Sequence, residues 1–178
     1  MSIIFRRPEF SIFVLSAAVF LHTIFTNLDH GLWVDEIMAA KFADLNWSVT
    51  DSFKWWASFE NHPYTYYLLL RSWFHLTGMG EISVKLLNPL IFILCALLSY
   101  RIWPKNRIRE FLYFLSLNMT SVWALFYLVE LRVYGLMLAV SMFAASCLFA
   151  IHCISENRNN TTQELSRPFN YLTGSVII

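Results

Sequence analysis

The chain has 178 residues, of which 57% are apolar and only 14% charged, against roughly 45–50% and about 25% in ordinary globular proteins. Mean hydropathy is +0.51, and the sequence holds 16 Phe, 8 Tyr and 7 Trp. This balance excludes a disordered chain and a disulfide scaffold, and a net charge of +1 excludes a nucleic-acid binder held by charge. An all-α, polytopic transmembrane bundle is the class that remains. Cys95, Cys147 and Cys153 lie inside apolar runs, with neither disulfide nor zinc spacing, and read as small core hydrophobes.

In chain order, Arg6 and Arg7 precede a first apolar stretch at 10–28. It is too long for a signal peptide and lacks a small-residue cleavage site, so it reads as an uncleaved first span. A loop at 29–83 follows, rich in aromatic and amphipathic pieces. Within it, 36–45 reads as a short helix carrying Ile37, Ala40 and Phe42. Thr50-Asp51-Ser52 can cap a second helix over 53–59, whose paired tryptophans suit a headgroup region. The segment 63–78 is short for a span and carries Arg71 near its middle.

Three further stretches, 84–103, 111–129 and 133–154, approach the roughly 20 helical residues that cross a hydrocarbon core of about 30 Å. Basic residues collect at Arg6/Arg7, at Arg101–Arg109 and around Arg158/Arg167. All three groups share one side only if 63–78 does not cross, and short cytoplasmic loops collect Lys and Arg. The expectation is therefore four full spans, a cytoplasmic N-terminus and an outer loop with an interfacial helix at 63–78. The start of a fifth span is expected from Phe169, and the chain is expected to be part of a longer product. Its place is an integral, multi-pass position in a membrane, the plasma or inner membrane if the source is bacterial.

Three polar clusters fall on the expected outer side. Asp35-Glu36 follows the first span; adjacent carboxylates beside apolar surface repel and are desolvated, which raises a pKa into the range of a useful base. The same pair can equally cap the helix that begins at Ile37. Glu60-Asn61-His62-Pro63 precedes the interfacial segment, where Pro63 suits a first helical turn and His62 is either a phosphate or hydroxyl contact or a solvated loop histidine. Glu130-Leu131-Arg132-Val133-Tyr134 joins two spans. If extended, its three polar side chains share a face; if helical, Arg132 turns away. Arg132 can grip two phosphate oxygens at once, or merely pair with Glu130. His22, His75 and His152 have no metal partners at helical spacing, and no P-loop, GxGxxG, GxSxG or HExxH motif occurs.

In order and spacing, LWVDEIMAAKFA, NHPYTYYLLLRSWFHLTG, EISVKLLNPLIFILCALLSYRIW and FYLVELRVYGLMLAV resemble the GT-C glycosyltransferases. The similarity is to the polyprenyl-phosphate-sugar-dependent branch that includes protein O-mannosyltransferases and lipid A aminoarabinose transferases. That family's patterns are an acidic pair, an H-P-P-aromatic helix, an R-L-P span and an E-x-R-x-Y element. Tyr64 stands where the family has its second proline, and Lys85 and Asn88 where it often has Arg and Ser. Family members are longer, so the chain corresponds to their N-terminal part.

The resemblance implies transfer of a sugar from a polyprenyl-phosphate donor to a lipid, glycan or protein acceptor on the non-cytoplasmic face. It implies Asp35 as general base, with Glu36 tuning it or holding an ion. Arg132 and His62 would hold the lipid phosphate, Glu130 would orient Arg132, and Tyr134 would contact phosphate or sugar. No cofactor is required; a divalent metal at Asp35/Glu36 is compatible with the family, and the lipid bilayer is the remaining partner. The competing reading is a truncated, non-enzymatic membrane protein or scaffold whose charged residues only cap hairpins. A transporter is disfavoured, because the ionisable residues gather at one face instead of lining the spans.

Overall fold

A computed structural model describes residues 8–28, 31–32, 34–128, 130 and 133–173, with backbone alone for 81, 123 and 157–173. The described residues form helices and connecting turns, with no strand among them. Three helices are long and apolar enough to cross a membrane, over Pro8–Leu28, Ile82–Ile102 and Val133–Glu156. They belong to α1 (Pro8–Leu28), α5 (Glu81–Ile102) and α8 (Val133–Thr173). Between the first two lie α2 (Val34–Phe42), α3 (Val49–Phe59) and α4 (Tyr64–Thr77).

The stretch expected as a third full span is divided between α6 (Ile108–Thr120) and α7 (Val122–Tyr127). Ser121 takes an extended backbone between them, φ −63° and ψ 143°. Its hydroxyl accepts the Ala124 N–H at 3.1 Å and donates to the Asn118 carbonyl at 3.0 Å. Asn, Thr and Ser near this point offer the backbone local alternatives to the helix ladder, and here Ser121 becomes an N-cap. The two helices still run the length of the bundle. Arg109 at the start of α6 meets Glu9 at 3.2 Å, and the Tyr127 ring at the end of α7 lies 4.9 Å from that of Tyr134.

Helix α8 differs from expectation too. It was expected to stop at 154 but continues unbroken to Thr173, so Phe169 lies within it and does not open a separate helix; 174–178 lie outside the described residues. Between Leu136 and Thr173 the sequence holds no glycine, and Pro168 is its one helix-breaking residue type.

The bundle has two chemically distinct ends. At one, Arg109 pairs with Glu9 and Arg107 with Glu156, around Trp103, which stacks on Phe149 at 4.4 Å. At the other, Lys85 Nζ donates to the Asn27 carbonyl at 2.7 Å, a cation at the C-terminus of α1. There too, Asn88 Nδ2 donates to the Glu130 carbonyl at 2.8 Å. Helix α5 packs most extensively on α8, and α1 on α6. Gly135 permits the first of these contacts, since a Cβ there would meet Asn88 Nδ2 at 2.7 Å and the Tyr127 carbonyl at 2.8 Å.

Helices α2, α3 and α4 build a cap over the second end. Its core joins Phe42, Tyr66, Tyr67, Leu70 and Phe74 to Leu87 and Val133 of the bundle. Helix α3 begins a turn earlier than expected, and the cap is Ser48. Its hydroxyl accepts the Asp51 N–H at 3.1 Å and donates to the Asp51 carboxylate at 2.6 Å, a variant of the capping box. Ser52, expected as part of that cap, is instead buried and donates to the Phe42 carbonyl, with the Tyr64 hydroxyl donating to it at 2.9 Å. Arg71 ties α4 to the α2–α3 connection by donating to the carbonyls of Asp44 (2.5 Å) and Trp47 (2.6 Å). Helix α4 starts beside His62, which meets Tyr134 at the start of α8. Near its end, Trp73 Nε1 donates to the Ser83 carbonyl in the first turn of α5 at 2.8 Å. It therefore returns to the end of the bundle from which it set out.

Candidate functional site

The site forms where the cap meets the start of α8. Helix α3 ends at Phe59 and the Glu60 N–H donates to the Trp56 carbonyl at 2.9 Å. The Glu60 carboxylate then folds back on the chain that follows it, accepting the N–H groups of Asn61 at 2.9 Å and His62 at 3.2 Å. Trp56 Nε1 donates to the His62 carbonyl at 3.0 Å. The backbone around His62 is thus pinned from both sides before Pro63 leads into α4.

The imidazole is held equally firmly. Its Nδ1 bonds the Glu60 carboxylate, and its Nε2 lies 2.7 Å from the Tyr134 hydroxyl, with the two rings edge to face at 5.1 Å. An ionised carboxylate only accepts, so Nδ1 carries the proton and a neutral ring accepts from Tyr134 through Nε2. The Tyr67 phenol is pushed up by burial and then by the charge of Glu60. Burial pushes Glu60 up, but the bonds from His62 and from the two backbone N–H groups outweigh it and hold the carboxyl below its ordinary value.

A cavity of about 440 Å³ opens beside this relay, lined by Asp35, Met38, Phe59, Glu60, His62 and Tyr67 among others. That volume lies within the range of about 300–1,000 Å³ usual for small-ligand sites. Asp35 and Glu36 sit in the first turn of α2, which begins at Val34, so both lie inside the helix instead of ahead of it. They part company there: Asp35 is exposed and lines the cavity, whereas Glu36 is 2% exposed.

Glu36 stands near two other groups. Burial, with the Glu36 charge as a second cause, raises the carboxyl of Glu130. The Tyr66 phenol is pushed up by burial against a bond to Asn88, with the charges of Tyr67 and Glu36 as lesser causes. Glu36 is thus close enough to Glu130 for its charge to act there. Glu130 itself lies in a bend, and Tyr134 is already in the first turn of α8, so Tyr134 is helical and not part of an extended strand-like run. Arg132 lies outside the described residues.

Among the described residues no group of three His, Cys, Asp or Glu is placed to hold a metal ion. The structure gives roles to Glu60, Tyr67 and Asn88, to which the sequence reading assigned none. Glu60 had a visible signal in the Glu-x-His spacing of a helix-ending loop. Tyr67 and Asn88 had none, since one is reached by helix packing and the other by a contact 42 residues away along the chain. Compared with protein-family models, curated proteins and solved structures, the chain finds no match.

Proposed function

We propose that the chain carries the donor end of a membrane glycosyltransferase of the GT-C type, moving a sugar from a polyprenyl-phosphate carrier to an acceptor hydroxyl. The observation that supports this reading is the cavity at one end of an apolar bundle, with Asp35 and the Glu60–His62 pair in its wall. Asp35 takes the proton of the acceptor hydroxyl as its oxygen attacks the anomeric carbon. The bond from that carbon to phosphate breaks, and the polyprenyl phosphate leaves with its chain along the apolar helices. His62, oriented by Glu60, and Arg132 bind the phosphate; for His62 the phosphate takes the place of the Tyr134 hydroxyl at Nε2, which when protonated offers it, as a guanidinium does, a charge-assisted hydrogen bond. Glu130 orients Arg132, and Tyr134 contacts phosphate or sugar. Glu36 tunes its neighbours from inside the protein.

The test uses proteoliposomes and undecaprenyl phosphate carrying labelled mannose or aminoarabinose, with transfer followed into lipid and peptide fractions. Asp35→Asn keeps the side-chain size and removes the proton acceptor. It should reduce transfer by roughly 10²–10⁴-fold while donor binding persists. Near-wild-type transfer by Asp35→Asn would make Asp35 a helix N-terminal acid. Absence of both donor binding and transfer in the unaltered chain would favour a non-enzymatic membrane protein.

A further inference from the structure

A second cavity lies far from the first, on the opposite half of the bundle. It measures about 370 Å³, sits among α1, α5 and α6, and is walled by apolar and aromatic side chains that include Phe13, Ala17, Ala96, Leu97, Tyr100 and Leu112. Such a cleft between spans accepts a hydrocarbon chain, but the decisive feature is at its rim. Lys105 is exposed, and its ammonium lies 4.5 Å from the centroid of the Tyr100 ring, which is itself part of the cleft wall. Arg101, one residue beyond Tyr100, is also exposed. Of the described acidic side chains at this end, Glu9 is buried against Arg109 and Glu156 is paired with Arg107, while Glu110 in the first turn of α6 is exposed. Among the described side chains the rim therefore presents an excess of positive charge beside an apolar slot, Lys105 and Arg101 being set against the single carboxylate of Glu110.

We propose that this cleft binds an anionic phospholipid, with one acyl chain between α1, α5 and α6 and the headgroup phosphate at Lys105 and Arg101. Charge complementarity selects the headgroup and the apolar walls select the chain; a zwitterionic lipid satisfies only the second. A basic side chain near an anionic headgroup changes affinity roughly fivefold, so preference and not absolute retention is the quantity to read.

Native mass spectrometry of the purified full chain, released from nanodiscs of equimolar phosphatidylglycerol and phosphatidylcholine, reads that preference directly. The unaltered chain should retain phosphatidylglycerol over phosphatidylcholine. Lys105→Glu should lose the preference while still carrying lipid. Ala96→Trp fills the slot and should lose the retained lipid of either class, whereas Leu148→Trp, at an exposed position on α8, should behave as wild type. Equal retention of the two lipids by the unaltered chain would overturn the proposal, as would an unchanged preference in Lys105→Glu. Displacement of the lipid by inorganic phosphate would reduce the site to a phosphate patch without a chain slot. A lipid-free dimer would show that a second copy of the chain covers the cleft. None of these readouts depends on sugar transfer, so this proposal and the enzymatic one fail separately.

Discussion

Gly135→Ala is the sharpest structural test, because one added carbon has three identified neighbours. The new Cβ would lie 2.7 Å from Asn88 Nδ2, 2.8 Å from Asn88 Cγ and 2.8 Å from the Tyr127 carbonyl oxygen. The Asn88 side chain has little room to yield: it is 2% exposed, and its amide donates to the Glu130 carbonyl at 2.8 Å while its oxygen accepts from the Tyr66 hydroxyl at 3.3 Å. The Tyr127 oxygen is backbone and moves only with α7. Overpacking of this kind costs about 1–3 kcal/mol, and losing the Asn88–Glu130 bond inside the protein adds about 1–3 kcal/mol. Alanine's better helix propensity returns at most about 1 kcal/mol.

The net expectation for Gly135→Ala is a destabilisation of about 1–5 kcal/mol, read as an earlier midpoint in SDS-driven unfolding of micellar protein followed by tryptophan fluorescence. Adding Asn88→Ala to Gly135→Ala should recover only part of the clash, since the Tyr127 oxygen remains. If Gly135→Ala proves as stable as wild type, the close approach of α5 and α8 at this point is wrong.

Two carboxylates should give pH dependences of opposite sign. Glu60 is held below its ordinary value, so its contribution is present above that value and is lost as pH falls through the folded one; Glu60→Gln should flatten the acid limb of stability against pH. Glu130 is raised, by burial and then by Glu36, so its contribution is present below its ordinary value and lost as pH rises through the folded one; Glu130→Gln should remove that decline. Unfolding midpoints measured from acid to neutral pH check both, and an unchanged profile in either variant counts against the corresponding contacts. Arg71→Ala deletes two charged hydrogen bonds, each worth about 1.5–3 kcal/mol, and should speed amide exchange across 43–48 while leaving α5 and α8 protected. Equal exchange in mutant and wild type would mean that the aromatic core of the cap holds that connection alone.

What could be read in advance follows from the range of the forces involved. Helices α1, α5 and the first half of α8 announce themselves because their apolar runs are continuous over more than 18 residues. The break at Ser121 is less legible: Asn118, Thr120 and Ser121 occur within spans as well as at their breaks, and only the Ser121 cap decides between them. The acidic pair shows the opposite failure. Adjacent residues on a helix point about 100° apart, so a shift of the helix start from 37 to Val34 sends Glu36 inward and leaves Asp35 at the cavity. No pattern in 34–45 sets that start. Arg71 read as an obstacle to a span, whereas its partners are two carbonyls in a connection more than twenty residues earlier.

The placement of the cavity follows from the same long-range contacts. One wall belongs to the cap, through Asp35 on α2 and Glu60 and His62 ahead of α4; the other includes Val133 at the start of α8. Two bonds cross between these parts of the site: His62 to Tyr134 from the cap, and Asn88 to the Glu130 carbonyl from the bundle. Both converge on the entry to α8, one at Tyr134 in its first turn and the other at Glu130 ahead of it. The positions of Glu130 and Tyr134 therefore depend on how closely α5 and α8 approach, which Gly135 controls, and on how the cap is docked, which Arg71 and the Phe42–Tyr67 contact control. A change at Gly135, which does not line the cavity, should for this reason disturb the His62–Tyr134 contact before it unfolds the bundle.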